Sequence, residues 1–442
     1  MTLKVQKKVE ENTEDIIKRE GLVGNSTQGL IGATLGFFIG FAAVALYGPA
    51  AKNFKELMGL SGAMLGLLVA IPQLTGSLFR IPFGAWVDKV GGRIPFLTLF
   101  ILSIIGMTGL VYILFNYYPD KITKDLYWWI LLFGALSGCG VATFSVGIPQ
   151  TSYWFPKSKQ GTALGIYAGL GNTAPGIFTL LLPFALASLG LPKAYLAWLI
   201  FLIIGTIIYY FIAADSYYFQ LVKKGYSREK AIEISQKLGL ELFPSGTVVQ
   251  ALKISAKNYR TWLLVLLYFT SFGGFLALTA WLPSFLTFYY GAAQKVAGMI
   301  TALGFSILAS LARVFYGGIT DKIGGENGNL IAFSIVFVGS LILTLSTNFY
   351  LSLVGIVLVG LGMGFANAAV FKLVPKYVSE AVGGASGWIG GLGAFGGFAI
   401  PPLLGIFVDK IGREGYHYGF IVYVILALVC ILISLMLSRS NK

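Results

Sequence analysis

The chain has 442 residues, 56% hydrophobic and only 11% charged, with a mean hydropathy of +0.80. A soluble domain carries about 25% charged residues, so an ordinary water-soluble fold is excluded. The apolar residues gather into about a dozen long runs, which also excludes a transmembrane barrel, whose strands alternate over about ten residues. On a soluble domain the formal charge of +14 would point to nucleic acid. In a polytopic helical protein Lys and Arg favour the cytosolic loops, and no nucleic-acid partner is expected.

Residues 1–27 are polar and mixed in charge, without the apolar stretch of a signal peptide, and are expected to form a cytosolic tail. Apolar runs then predict six helices at 28–49, 60–86, 94–115, 127–154, 161–189 and 194–213. A hydrophilic linker at 214–260 follows. Six more helices are predicted at 261–290, 296–319, 330–345, 349–377, 382–408 and 418–437, with a short tail at 438–442. The expected architecture is all-α: twelve transmembrane helices in two six-helix bundles, 28–213 and 261–437, lying in a lipid bilayer. Cys139 and Cys430 fall inside apolar runs without CxxC spacing and read as small core residues rather than a disulfide or zinc site. His417, the only histidine, precedes the last helix and reads as a solvated loop residue.

Allocating the 32 Lys and Arg residues to this topology with both termini inside places about 21 in cytosolic segments and about 8 outside. That distribution predicts cytosolic termini in the cell membrane. Three positive residues remain within helices, Arg80, Arg313 and Lys372, and no Asp or Glu falls well inside any predicted span.

Two of the three belong to an internal repeat. Residues 79–93 read FRIPFGAWVDKVGGR and residues 312–325 read ARVFYGGITDKIGG. In each, Arg precedes Gly by four and Asp by eight, at the equivalent helix of each half: Arg80, Gly84 and Asp88, then Arg313, Gly317 and Asp321. Such symmetry places a substrate site between the halves. Eight helical residues rise about 12 Å, so an Asp at the membrane boundary sets its Arg near the middle of a layer roughly 30 Å thick. An Arg there costs at least about 2.5–3.5 kcal/mol and requires a polar cavity or a partner. Without an intramembrane carboxylate, an anionic ligand completes the charge balance. The planar guanidinium fork also suits a planar oxyanion better than an ammonium does. Lys372, nearer the cytosolic end of the tenth helix, either snorkels or lines the exit, with Asn367 on the same helix as a second pathway residue.

Gly161, Gly165 and Gly169 recur every four residues in the fifth helix, as do Gly383, Gly387 and Gly391 in the eleventh. This spacing predicts a glycine strip that permits close helix packing, static or sliding.

Taken together these features resemble the major facilitator superfamily and, within it, the nitrate/nitrite porters. The loop segment with Gly84, Asp88 and Arg93 is similar to the superfamily motif between helices two and three, and the segment ending in Asp321 and Gly325 is a degenerate copy. Residues 161–176 (GTALGIYAGLGNTAPG) and 383–402 (GGASGWIGGLGAFGGFAIPP) resemble the two glycine-rich signatures of the porters, with Gly165, Gly169, Gly171, Gly391, Gly393, Gly396 and Gly397 in them. Residues 268–275 (YFTSFGGF) and 364–375 (GFANAAVFKLVP) add support. The resemblance implies that Arg80 and Arg313 bind nitrate or nitrite, that Asn172 and Tyr268 donate hydrogen bonds, and that Phe144 and Phe272 sandwich the planar ion. It implies no cofactor and no metal, and a carrier that works as a monomer. Where the first signature usually has a further glycine this chain has Ala174, followed by Pro175, so the fifth helix is expected to be kinked or less closely packed.

The leading expectation is a nitrate/nitrite antiporter. Proton symport, a porter of small carboxylates and an anion channel are the alternatives, and the sequence offers no nucleotide loop or catalytic set for an enzyme. Arg80→Lys and Arg313→Lys each keep the charge but lose the fork, so each is expected to abolish most nitrate transport while folding is retained. Near-normal affinity in both variants would refute bidentate recognition.

Overall fold

The computed structural model describes residues 13–244 and 248–439, with the side chains of Lys157, Val248, Asp321 and Glu380 outside that description. Twelve long apolar helical spans cross it: α1 Ser26–Ala45, α2 Gly62–Val90, α3 Arg93–Tyr117, α4 Lys124–Ser152, α5 Ser158–Leu189, α6 Leu191–Ile212, α7 Tyr259–Tyr290, α8 Gln294–Thr320, α9 Gly325–Leu345, α10 Phe349–Tyr377, α11 Val382–Tyr418 and α12 Ile421–Arg439. Among the described residues there is no strand. The chain is a multi-pass membrane protein of two pseudo-symmetric six-helix bundles.

Most spans match the predicted runs to within a turn or two of helix. The end of α11 does not. Asp409 and Lys410, expected beyond the helix, continue it to Ile411, and only Gly412 with φ 65° stops it. The next turn, Gly415–Tyr418, folds His417 inward, and the expectation of a solvated histidine is wrong. The ring is buried, with Nδ1 2.9 Å from the Thr344 carbonyl at the end of α9 and Nε2 2.9 Å from Glu414 Oε2. Two polar partners make its burial tolerable.

Three short helices of the linker, Tyr217–Lys223, Arg228–Lys237 and Val248–Lys257, lie on the face that also carries both termini, since the number of spans is even. A second apolar cluster forms there from Ile16 and Leu22 of the N-terminal segment, Trp154, Tyr217, Ala231 and Ile234. We call this the linker face and the opposite one the far face.

The two faces differ in how the halves meet. In the far half, α2 lies directly on α11, where a methyl group on Gly62 would strike the Gly405 carbonyl and one on Gly66 the Pro401 carbonyl. The α5–α8 pair is equally tight, because a Cβ on Gly298 would lie 2.7 Å from the Thr179 carbonyl oxygen. Asp409 fastens the first pair. Its Oδ1 accepts from the Gly62 N–H at 2.5 Å and its Oδ2 from the Ala63 N–H at 2.8 Å, so a carboxylate of α11 caps the N-terminus of α2. Nearby, Lys55 donates to the Tyr416 hydroxyl at 3.1 Å and lies 4.3 Å from the Phe288 ring centroid.

Toward the linker face the same helix pairs separate. Gly165 on α5, Gly317 and Gly318 on α8, and Gly383 on α11 have nothing within 4 Å of where a Cβ would stand. The four-residue glycine strips are thus packed only at their inner ends, where Gly391 meets Ile81 and Gly169 meets Val314. Gly165 and Gly383 face open space, Gly169 meets only the Val314 side chain at 3.0 Å and Gly387 only that of Leu252 at 3.4 Å. Spacing puts these glycines on one face but cannot say whether a neighbour is there, and in this conformation the outer parts of the strips lie in the splayed half. Gly161 carries no description beyond its helical backbone.

Gly171→Ala, whose Cβ would overlap the Phe37 ring, is expected to lower the thermal midpoint of the purified protein. Gly165→Ala should leave it unchanged and slow turnover, because only the conformation with the linker half closed would bring a helix against it. Loss of stability in Gly165→Ala with normal turnover would contradict the splayed arrangement.

Candidate functional site

The spans that meet at the centre are irregular near the point where they do so. α2 is interrupted at Phe79, between helices Gly62–Leu78 and Arg80–Val90, because Pro82 cannot bond back to the Leu78 carbonyl and its ring crowds it. α4 tightens to a 3₁₀ turn at Cys139–Ala142, just before Phe144. α5 breaks after Gly171, with Asn172 as its C-cap and Pro175 restarting the helix, as the Ala174–Pro175 departure leads one to expect. α7, α8 and α11 carry π-turns at Phe269–Gly273, Ala302–Ser306 and Ile389–Gly393. π-Turns often occur at functional sites, and broken helices commonly build transporter sites at midplane.

Arg80 is 2% exposed. Its guanidinium carbon lies 4.8 Å from the Phe144 ring centroid and 5.0 Å from that of Phe272, so rings from both halves contact one cation. Nη1 donates to the Gly390 carbonyl in the α11 π-turn at 3.1 Å, while Nε and Nη2 are buried without partners. Arg313 is half-buried, with its Nη1 enclosed and unpartnered. Neither guanidinium has a carboxylate partner among the described residues. The two charges repel each other, and both act electrostatically on Tyr268.

Tyr268 is fully buried, its hydroxyl beside Arg313 without a hydrogen bond of ordinary geometry, and its ring stacked on Phe272 at 4.9 Å and 6°. Phe371 holds the ring edge-on at 4.9 Å. Gly393 fits against it so closely that a Cβ would lie 2.7 Å from Tyr268 Cδ1, and one on Gly396 would lie 2.6 Å from the Phe269 carbonyl oxygen. Gly391 gives way to Ile81 in the same manner. Asn172 is buried with Oδ1 unpartnered, and its backbone carbonyl accepts from Ser310, one turn before Arg313, at 3.0 Å. A half-turn of that amide would present its N–H₂ instead. All six residues expected at the site are thus gathered around the junction of the halves.

Phe144 and Phe272 themselves stack at 5.8 Å between centroids and 28° between planes. That is already the separation of a direct aromatic pair. In this conformation the rings contact each other and the guanidinium, and holding an ion between them requires that they part.

The loop-motif residues sit apart from this centre, near the linker face. Asp88 accepts from the Tyr153 hydroxyl at 2.6 Å, and Arg93 donates from Nη2 to the Tyr210 carbonyl at 2.6 Å. Gly84 passes close to Ser145. The Asp321 side chain lies outside the described residues. Lys372 does not extend freely to the surface: its ammonium donates to the Thr320 carbonyl at 2.7 Å, joining α10 to α8. Asn367 is buried with Oδ1 unpartnered.

Sequence reasoning missed Tyr167 and Gly390. Tyr167 donates to the Phe144 carbonyl at 2.7 Å, is fully buried and acts electrostatically on Arg80. As the one aromatic hydroxyl within the first glycine signature it could have been found. The Gly390 carbonyl could not, because a backbone acceptor leaves no trace in composition.

With this geometry the chain was compared with known proteins. It matches the family model described as Major Facilitator Superfamily over residues 33–304 and 264–442. A nitrite extrusion protein of Bacillus subtilis is 30% identical over 88% of this chain and 88% of its own length. A probable nitrate transporter NarT of Staphylococcus epidermidis is 28% identical over 92% of this chain and 96% of its own. The fold is similar to that of the E. coli xylose transporter XylE in a partially occluded inward-open conformation, with a TM-score of 0.69 and 15% identity over 94% of this chain and 99% of that one. The chain belongs to the major facilitator superfamily, a family of transporters, and groups there with the nitrate/nitrite porters.

Tyr167→Phe removes the buried hydroxyl shared by the Thr143 and Phe144 carbonyls and is expected to cost about 1 kcal/mol, read as a lower thermal midpoint together with weaker anion binding as Phe144 loosens. Unchanged melting and binding would show the hydroxyl to be idle.

Proposed function

We propose that the protein carries nitrate and nitrite across the cell membrane as an exchanger, its halves rocking about one central site. The observation that carries this reading is the pair of guanidiniums, placed by an internal repeat at the junction of the halves, Arg80 buried and Arg313 half-buried, without carboxylate partners among the described residues. A small planar oxyanion offers both forks in-plane acceptors, and the Tyr268 hydroxyl beside Arg313, with the Asn172 amide turned to present its N–H₂, supplies further donors. The names of the relatives agree with this cargo.

The linker face is read as cytosolic from its basic residues, so the far half is the outer gate and the structure is inward-facing. Anion binding neutralises the repulsion between Arg80 and Arg313 and lets the halves close. This is the differential affinity that a conformational switch requires. The empty carrier, with two positive charges facing each other, resists closure and returns mainly when loaded, which favours exchange. A single chain holds the complete site, consistent with function as a monomer. Proton symport usually relies on a titrating group along the pathway, but His417 sits at the far-face end of α11, in the turn after Gly412, engaged by Thr344 and Glu414.

Purified protein in liposomes loaded with nitrite is expected to take up nitrate in counterflow without an imposed proton gradient. Uptake that needs the gradient and ignores internal nitrite would overturn exchange. Competition by formate or oxalate as strong as that by nitrite would overturn the substrate assignment.

A further inference from the structure

Outward from Arg80, in the sealed far half of α2, stands Gln73. It is 0% exposed, and neither Nε2 nor Oε1 has a hydrogen-bond partner. Burying one unpaired polar group costs about 1–3 kcal/mol, and this side chain buries two. A leucine would fill the volume without that penalty, so packing does not account for an amide here.

Its position suggests what does. Gln73 precedes Arg80 by seven residues, about two turns and roughly 10 Å along α2, across the irregular turn at Phe79. There it reaches the junction with α7 and α11. A Cβ on Gly397 would come within 2.8 Å of Gln73 Cγ and 2.7 Å of Leu276 Cβ, so a signature glycine leaves the room that the amide occupies. Leu276 is one turn beyond Phe272, which sets Gln73 just past the aromatic pair on the far side. Beyond it α7 carries two more buried, unpartnered donors, Trp281 Nε1 and Ser284 Oγ. The far half, closed by Gly62, Gly66, Gly405 and Asp409, therefore encloses a series of polar groups with no role inside the closed seam.

We infer that Gln73 is a second anion-coordinating position, on the far-face side of the arginine site, used when that half opens. The N–H₂ donates to an oxyanion, and the carbonyl accepts from water still carried with the ion. The neutral amide holds the anion weakly enough to pass it on to Arg80 and Arg313, where two charges grip it. The inference rests on the nitrate/nitrite reading given above.

The test uses the full-length protein in liposomes, with nitrate presented separately to each face. Gln73→Leu and the near-isosteric Gln73→Met should raise the half-saturating nitrate concentration about tenfold at the far face, and change it less than twofold at the linker face. Their thermal midpoints should equal or exceed wild type, since an unpaired amide has been removed. Gln73→Cys should react with a membrane-impermeant thiol reagent added at the far face, and nitrate should slow that reaction; both native cysteines are buried. Unchanged half-saturation at both faces, an equal change at both, or labelling indifferent to nitrate would each overturn the proposal. Should wild type itself fail to exchange nitrate for nitrite, the underlying function is wrong, and that result is distinct from all of these.

Discussion

Two guanidinium groups without counter-carboxylates among the described residues, one buried and one half-buried at the junction of the halves, are the constraint around which the molecule is arranged. Each would be expensive alone in the bilayer. Here Arg80 is made tolerable by a carbonyl of the opposite half and two aromatic faces, a partial solution that leaves Nε and Nη2 without acceptors. The incompleteness is what makes the site chemically useful. Fully neutralised by glutamates the arginines would be stable and idle, and left bare in water they would bind anions weakly against solvent.

The irregular helices follow from the same requirement. A straight α-helix satisfies its own backbone and offers nothing to a neighbour within the membrane. The π-turn at Ile389–Gly393 lets the Gly390 carbonyl reach Arg80, and the one at Phe269–Gly273 sets Tyr268 and Phe272 in parallel. The glycines around these turns allow the close approach: Gly393 fits beneath the Tyr268 ring and Gly396 against the backbone of α7. Site and packing are therefore one structure.

Much of the architecture was legible because hydrophobic run length and the repeated Arg–Gly–Asp spacing are one-dimensional signals. Arg80 and Arg313 could be singled out by charge alone, whereas Phe144 and Phe272 needed the family resemblance, since nothing in a chain with 34 phenylalanines distinguishes them. What stayed hidden depends on the third dimension. The four-residue glycine strips look like packing faces, yet their neighbours at the linker face stand away in this conformation. His417 looked solvated because its burial depends on the Thr344 carbonyl at the end of α9, a partner 73 residues away in the chain. Gln73 is an ordinary polar letter until both its amide atoms are seen buried and unpaired.

The cap that Asp409 gives α2 has a consequence for energetics. Asp409 is itself exposed at the far end of the seam, so when the contact breaks, water can hydrate the carboxylate and the two freed N–H groups. An exposed carboxylate capping a helix N-terminus is worth only about 0.5–2 kcal/mol net. The fastening is thus specific in geometry but shallow in depth. A carrier needs this of its gates, since a deep latch would trap one state and demand from its small cargo more free energy than a few hydrogen bonds can supply.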